Sequence, residues 1–223
     1  MLMDSKFCTV WLLSFAEEIL QNEEYLNELD SATGDGEHGS NMASGMSALQ
    51  KHFAVPQSAD LGVFFENVGM AIINSVGGAS GALYGTLFLR LSNMCDQRTS
   101  IDLINLGVAF SSALEGIMEL GRVKPGDKTL LDALYPATVS LQKSVNEKEE
   151  LHYALSKAMA AADEGCKSTF AMEARKGRGS YQGQRSIGHI DPGATSMALL
   201  FKTLSDTFSG KSMRDTKNNF NGL

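Results

Sequence analysis

Asp30, Asp35 and Glu37 fall within eight residues of the stretch LDSATGDGEHGS (29–40), and carboxylates so crowded repel one another unless a cation neutralises them. An all-oxygen set, without cysteine or a second histidine, suits a hard divalent ion. Mg²⁺ fits better than zinc, and Mg²⁺ in such sites commonly bridges to phosphates. The same residues also read as a solvated acidic loop. The twelve-residue ligand spacing of a calcium loop is missing from Asp35-Gly36 and Gly39. Gly77, Gly78, Ala79 and Ser80 sit where one apolar repeat ends and another begins, so their N–H groups and the Ser80 hydroxyl can point at an anion. A tight turn with an N-capping serine accounts for them equally well. The lysine spacing of a P-loop is absent. A third stretch carries Arg178, Arg185, His189 and Asp191. A guanidinium there would clamp phosphate oxygens and offset charge in phosphoryl transfer. Asp191-Pro192-Gly193 would in addition cap and start a helix.

The elements that must position these residues are helical. Phe7, Trp11, Leu12, Phe15, Ile19 and Leu20 recur at spacings of three and four, predicting an amphipathic helix over 4–21. The same period marks 42–53, 61–72, 83–91, 103–120, 130–145, 151–172 and 197–208, and strand-like alternation is absent. Short joints near 54–58, 96–100 and 146–149 force antiparallel neighbours. Parity then gathers the odd connections, 29–40, 77–80, 121–129 and 177–194, at one end. These are the glycine-rich and charged ones, while the even connections are plain turns. The expectation is an all-α, eight-helix antiparallel up-down barrel or bundle with a binding site at one rim. His52 and His152 fall on helical stretches away from that rim, and Cys166 has no flanking groups that mark a reactive thiol.

The 223 residues are 43% apolar and 20% charged, enough for one full core, and the net charge of −7 argues against nucleic acid as partner. Three cysteines without CxxC spacing predict neither a disulfide framework nor a zinc site, and point to a reducing, cytoplasmic compartment. Acidic Asp4, with Glu17 and Glu18 ending the first apolar run, argues against a signal peptide. By residue count, no stretch reaches the roughly 18 to 20 apolar residues of a membrane span.

Read together, GDGEHGSNM (34–42), GGASGALYG (77–85), GDKTLLDAL (126–134) and GRGSYQGQRSIGHIDPGATS (177–196) resemble the nucleotide-binding L subunit of dihydroxyacetone kinase. The likeness runs to about residue 209, which predicts a nucleotide-binding domain over 1–210 and a separate tail over 211–223. It implies ADP or ATP at the rim of an eight-helix barrel, held through Mg²⁺ by Asp30, Asp35 and Glu37. By position, His38, Gly39, Ser40 and Asn41, with Ala79 and Ser80, would bind phosphate. Gly121, Leu130, Asp191, Pro192 and Gly193 would line the adenine and ribose side, and Arg178 would stabilise transferred charge.

The resemblance further implies that the triose is held by a histidine of a separate K subunit, for which these residues offer no counterpart. A free-standing L subunit implies ADP kept as a prosthetic group and rephosphorylated by a multiphosphoryl M protein of the phosphotransferase system. A regulatory nucleotide-loaded module, or an ATP-using component serving another partner-held substrate, are the alternatives. A homo-oligomer is compatible with either. Three departures from the family pattern stand out: Glu37 in place of an aspartate, GRGSYQGQRS for GRASYLGERS, and Leu130 for a frequent methionine.

Overall fold

A computed structural model describes residues 3–211. Among the described residues there are nine α-helices: α1 (Ser5–Gln21), α2 (Glu23–Ser31), α3 (His38–His52), α4 (Leu61–Ser75), α5 (Gly78–Met94), α6 (Leu103–Gly121), α7 (Leu131–Asn146), α8 (Leu151–Ser168) and α9 (Pro192–Phe208). The first two are one arm of the barrel interrupted at Asn22, whose N–H still reaches the Glu18 and Ile19 carbonyls. Eight arms therefore remain, as the sequence period predicts. Each packs on the next, and α9 returns to α1 to close the ring. The tail expected from residue 211 lies, past Lys211, outside the described residues.

The closing seam shows what holds the ring. Trp11 is buried and donates its indole N–H to the Leu200 carbonyl of α9 at 3.1 Å. Lys202 reaches the Glu18 carboxylate at 2.8 Å, and Phe7 meets Phe208 edge to face at 5.9 Å. Between the arms, Phe15, Phe64, Phe65, Tyr84, Phe88, Phe110 and Phe201 are fully buried in one continuous core. Burial of side chains this large contributes roughly 1.5 to 3 kcal/mol each. Close approach of α7 and α8 depends on Gly165, where a Cβ would lie 2.1 Å from the Asp132 carbonyl.

The two ends of the barrel differ. Opposite the glycine-rich loops, Asp4, Asp60 and Asp102 cap α1, α4 and α6 with their side chains, accepting from Phe7, Gly62 and Asn105 amides at 2.7 to 2.9 Å. There also two short strands, β1 (Met3–Asp4) and β2 (Ser100–Ile101), pair antiparallel, a small ladder that the sequence pattern did not announce. At the other end three of the four helices begin earlier than their apolar repeat does. His38–Asn41 and Gly78–Ser80 form first turns of α3 and α5, and α9 starts at Pro192. The segment 177–194 is not structureless either, because Arg178–Ser186 winds into 3-10 turns kinked at Gly183.

By length and a mean hydropathy of 1.3, α6 reaches the range of a membrane-crossing segment, contrary to the residue count, although half of that stretch is buried within the barrel. Cys8, Cys95 and Cys166 are buried free thiols. Burial raises all of them, Cys95 and Cys166 to about 11. At pH 8 the thiolate fraction of these two falls roughly a hundredfold, so Ellman's reagent is expected to titrate the described cysteines only after denaturation. A thiol that reacts in the folded protein at the denatured rate contradicts this packing.

Candidate nucleotide and phosphate site

Direct contacts join all four glycine-rich connections. His38, from the first, approaches Ser80 of α5 and Ser196 of α9 through its two ring nitrogens, at 3.3 and 3.0 Å. Arg178, in the fourth, ion-pairs with Asp35 in the first. Lys128, in the third, is 2% exposed and donates its Nζ hydrogens to the carbonyls of Met172, Ser186 and His189. Leu130 lies under Gly193, whose added Cβ would sit 3.3 Å from the Leu130 nitrogen. Gly121 ends α6 beside Leu83 of α5 and Val123.

The acidic turn is organised by Asp30. Its Oδ2 accepts the Glu37 and His38 amides at 2.9 and 3.1 Å, and so caps the start of α3 from the end of α2. Glu37 and Asp35 face outward, the latter held by Arg178. Among the described residues no three carboxylate, imidazole or thiolate groups converge into a metal cage. Mutual repulsion keeps three such carboxylates apart, and Arg178 supplies the counter-charge to one of them. The donor set itself, all oxygen on one short turn, suits a hard divalent ion.

Ser40 and Asn41 divide. Ser40 turns to α2, giving its N–H to Asn27 Oδ1 at 3.0 Å and its hydroxyl to Glu23 at 3.1 Å, so its donors are already engaged. Asn41 instead lies along the start of α5, where a Cβ on Gly77 would come 2.2 Å from its Oδ1. Gly39 is buried under the Glu23 carbonyl. Ala79 is exposed and Ser80 half-buried in the first turn of α5.

That turn is the open feature of the rim. No side chain caps α5, Gly78 takes a φ of +66°, and the nearest atom to a Cβ placed there is Asn41 Nδ2 at 3.8 Å. The start of this seventeen-residue helix therefore has no side-chain cap for its leading N–H groups, an arrangement suited to an anion. By contrast α9 is capped by Asp191, which accepts the Ala194 amide at 2.7 Å. Burial pushes the Asp191 carboxyl up to about 7 despite that bond, with the charges of Asp132 and Asp30 adding to the rise and Lys128 opposing it. Burial also holds His38 down at about 4, so its ring is neutral at pH 7.

The DAK2 domain family matches residues 32–206, which include His38, Ser80, Lys128, Arg178 and Ser196 but not Asp30. The chain belongs to the DAK2 domain family. It is 41% identical over 207 residues to the "PEP-dependent dihydroxyacetone kinase 1, ADP-binding subunit DhaL" of Listeria innocua, covering 93% of this chain and 98% of that one. To the "PEP-dependent dihydroxyacetone kinase, ADP-binding subunit DhaL" of Escherichia coli K12 it is 39% identical, covering 87% and 93%. The fold superposes on the crystal structure of the dihydroxyacetone kinase of C. freundii in complex with AMP-PNP and Mg²⁺, with a TM-score of 0.67 and 26% identity over 90% of this chain. The chain spans 34% of that kinase.

Sequence reasoning missed three polar residues that build the rim. Lys128 pins the loop that carries Arg178. Asp132 reaches back to the Gly126 and Thr129 amides at 2.5 and 2.8 Å, and Tyr84 donates to Ser196 from inside the core at 2.8 Å. Their apolar neighbours hid them, since Asp132 and Tyr84 sit in runs that read as core helix. For Asp132 the signal was a charge at a position that the helical period places inside.

Proposed function

We propose that this chain is the ADP-binding phosphotransferase subunit of a dihydroxyacetone kinase. It would pass a phosphoryl group from a phosphotransferase-system donor, the M subunit, through a Mg-nucleotide to dihydroxyacetone held on a separate K subunit. The observation that carries this reading is the uncapped start of α5 at a rim where four distant segments meet. The names of the Listeria and Escherichia relatives, each matched over nearly its whole length, support it.

In this reading the N–H groups of Ala79 and Ser80 hold phosphate oxygens at the positive end of α5. Asp30, Asp35 and Glu37 would hold Mg²⁺, which when bound neutralises charge on the phosphates. Gly121, Leu130, Asp191, Pro192 and Gly193 line the side where base and sugar fit, with Gly193 lying against Leu130. Arg178, freed from Asp35, directs its fork of donors to the transferred group, where charge develops. Phe170 and Tyr181 stand exposed on the neighbouring loop, an apolar margin that a partner subunit would cover.

The test is reconstitution. The purified chain is mixed with K subunit and dihydroxyacetone, first with phosphoenolpyruvate and the phosphotransferase proteins, then with ATP alone. Dihydroxyacetone phosphate in the first mixture is the expected result. Product only with ATP transfers the reading to an ATP-using kinase. Product in neither mixture leaves a nucleotide-loaded binding module and overturns the assignment.

A further inference from the structure

Tyr84 and Ser196 are buried, yet their hydroxyls belong to a polar chain that leads out to the rim. Tyr84 donates to Ser196 Oγ at 2.8 Å, and Ser196 Oγ lies 3.0 Å from His38 Nε2 and 3.0 Å from the Gly193 carbonyl. At the outer end His38 Nδ1 is 3.3 Å from Ser80 Oγ. A neutral imidazole carries one N–H, so donors and acceptors along this chain can be counted.

The count admits two arrangements. In the inward one, Ser80 donates to Nδ1, the ring donates from Nε2 to Ser196, and Ser196 donates to the Gly193 carbonyl. In the outward one, Ser196 donates to Nε2, the ring donates from Nδ1 to Ser80, and the Ser80 hydrogen turns to the rim. Tyr84 donates to Ser196 in both, and both hold the same hydrogens. They differ at the rim: only the outward arrangement lets the Ser80 hydroxyl donate to a ligand.

We infer that Tyr84 and Ser196 are positioning residues for the phosphoryl group, fixing through the His38 tautomer whether the Ser80 hydroxyl points at the rim. This rests on the nucleotide reading above. An anionic phosphate oxygen accepts a hydrogen more strongly than a neutral imidazole, so occupancy of the rim selects the outward arrangement. Tyr84 matters because, in that arrangement, Ser196 gives its own hydrogen to the ring and accepts the only one it receives from the phenol. Without the phenol, the buried Ser196 oxygen recovers a partner by accepting from Nε2, which returns the chain to the inward form. Gly193, on the proposed nucleotide side, loses its Ser196 bond whenever the chain points outward, so both ends of the relay touch the ligand.

The test is ¹⁵N NMR of ring-labelled histidine, with the His38 signals assigned by His38→Gln. Wild type stripped of nucleotide is expected to carry the hydrogen on Nε2, and the same protein with Mg-ADP to carry it on Nδ1. Tyr84→Phe should keep the fold and hold ADP within about threefold, stay in the Nε2–H form with ADP bound, and transfer phosphate roughly tenfold more slowly in the reconstituted system. Ser80→Ala should slow transfer by a similar factor, and the double variant should be no slower, since both act on one hydrogen. Unchanged ring nitrogens on ADP binding, a wild-type rate for Tyr84→Phe, or additive losses in the double variant overturn the relay and leave the nucleotide reading standing. A wild-type chain that binds no Mg-ADP overturns both.

Discussion

Lys128→Met is expected to lower the melting temperature by about 5 to 10 °C and to abolish nucleotide retention. The lysine sits in the left-handed region, with φ of +61°, a conformation that costs a non-glycine residue roughly 1 to 2 kcal/mol. What offsets that cost is the ammonium group. It is 2% exposed and satisfies the Met172, Ser186 and His189 carbonyls together, the last at 2.6 Å. Burial lowers its pKa, while Asp191 pulls it back up. Methionine fills the volume but leaves those carbonyls without their donor, a loss of about 2 to 4 kcal/mol. The damage is directional. Neighbouring ties, Arg175 N–H to the Asp127 carbonyl and Ala174 N–H to Ser186 Oγ, belong to the same join between loops, so the segment carrying Arg178 detaches from the rim. Thermal unfolding and ADP content after gel filtration check this together. An unchanged melting temperature would make the lysine a spectator.

Arg178→Ala is expected to behave in the opposite way. In its pair with Asp35 the guanidinium is 62% exposed and the carboxylate side chain 29%, so solvent screens the ion pair, it adds little to stability and the melting temperature should move by no more than about 2 °C. Turnover should fall roughly a hundredfold or more, because a charge-stabilising guanidinium is removed from the place where charge develops. Nucleotide retention should change by only a few-fold, since the start of α5 is untouched and Asp35, though it loses its partner, keeps its carboxylate. The readout is therefore a split between steady-state transfer rate and ADP affinity. Equal losses in both would make Arg178 a ground-state contact, and intact turnover would remove it from the chemistry.

The barrel was legible because its core-facing residues recur at helical spacing and its joints are short enough to impose alternation. Trp11, Phe65 and Phe201 lie in the predicted stretches and in the core. The interruption at Asn22 was not legible. In α2 only Leu26 is buried, so Glu23–Ser31 offers almost no periodic signal, and its helical form depends on packing against α3 and α9. Starts of α3 and α5 were placed late for a related reason. His38–Ser40 and Gly78–Ser80 are poor helix formers by propensity and are ordered by Asp30 capping and by tertiary contact. The seventh apolar stretch runs to residue 172, but α8 stops at Ser168, where Thr169 turns its hydroxyl to the Cys166 carbonyl at 2.6 Å.

For the site, parity was sufficient to gather the segments 29–40, 77–80 and 177–194 at one end, but the pairing of Asp35 with Arg178 and of His38 with Ser80 emerges only in the folded chain. Nor was parity sufficient to show that Ser40 faces α2, because that depends on Asn27 and Glu23 in a helix the pattern did not reveal. Lys128 was hidden in a loop where a lysine ordinarily reads as solvated. Its burial follows only from the 3-10 segment folding over it.

The central claim is that four glycine-rich segments form one rim that grips a magnesium-bound nucleoside diphosphate. The most direct measurement is the nucleotide and metal content of the protein purified with neither added, by acid extraction with chromatography and by elemental analysis. The account predicts near-stoichiometric ADP with Mg²⁺, surviving gel filtration and released by a chelator. A chain free of nucleotide that also fails to take up Mg-ADP in a calorimetric titration would contradict it.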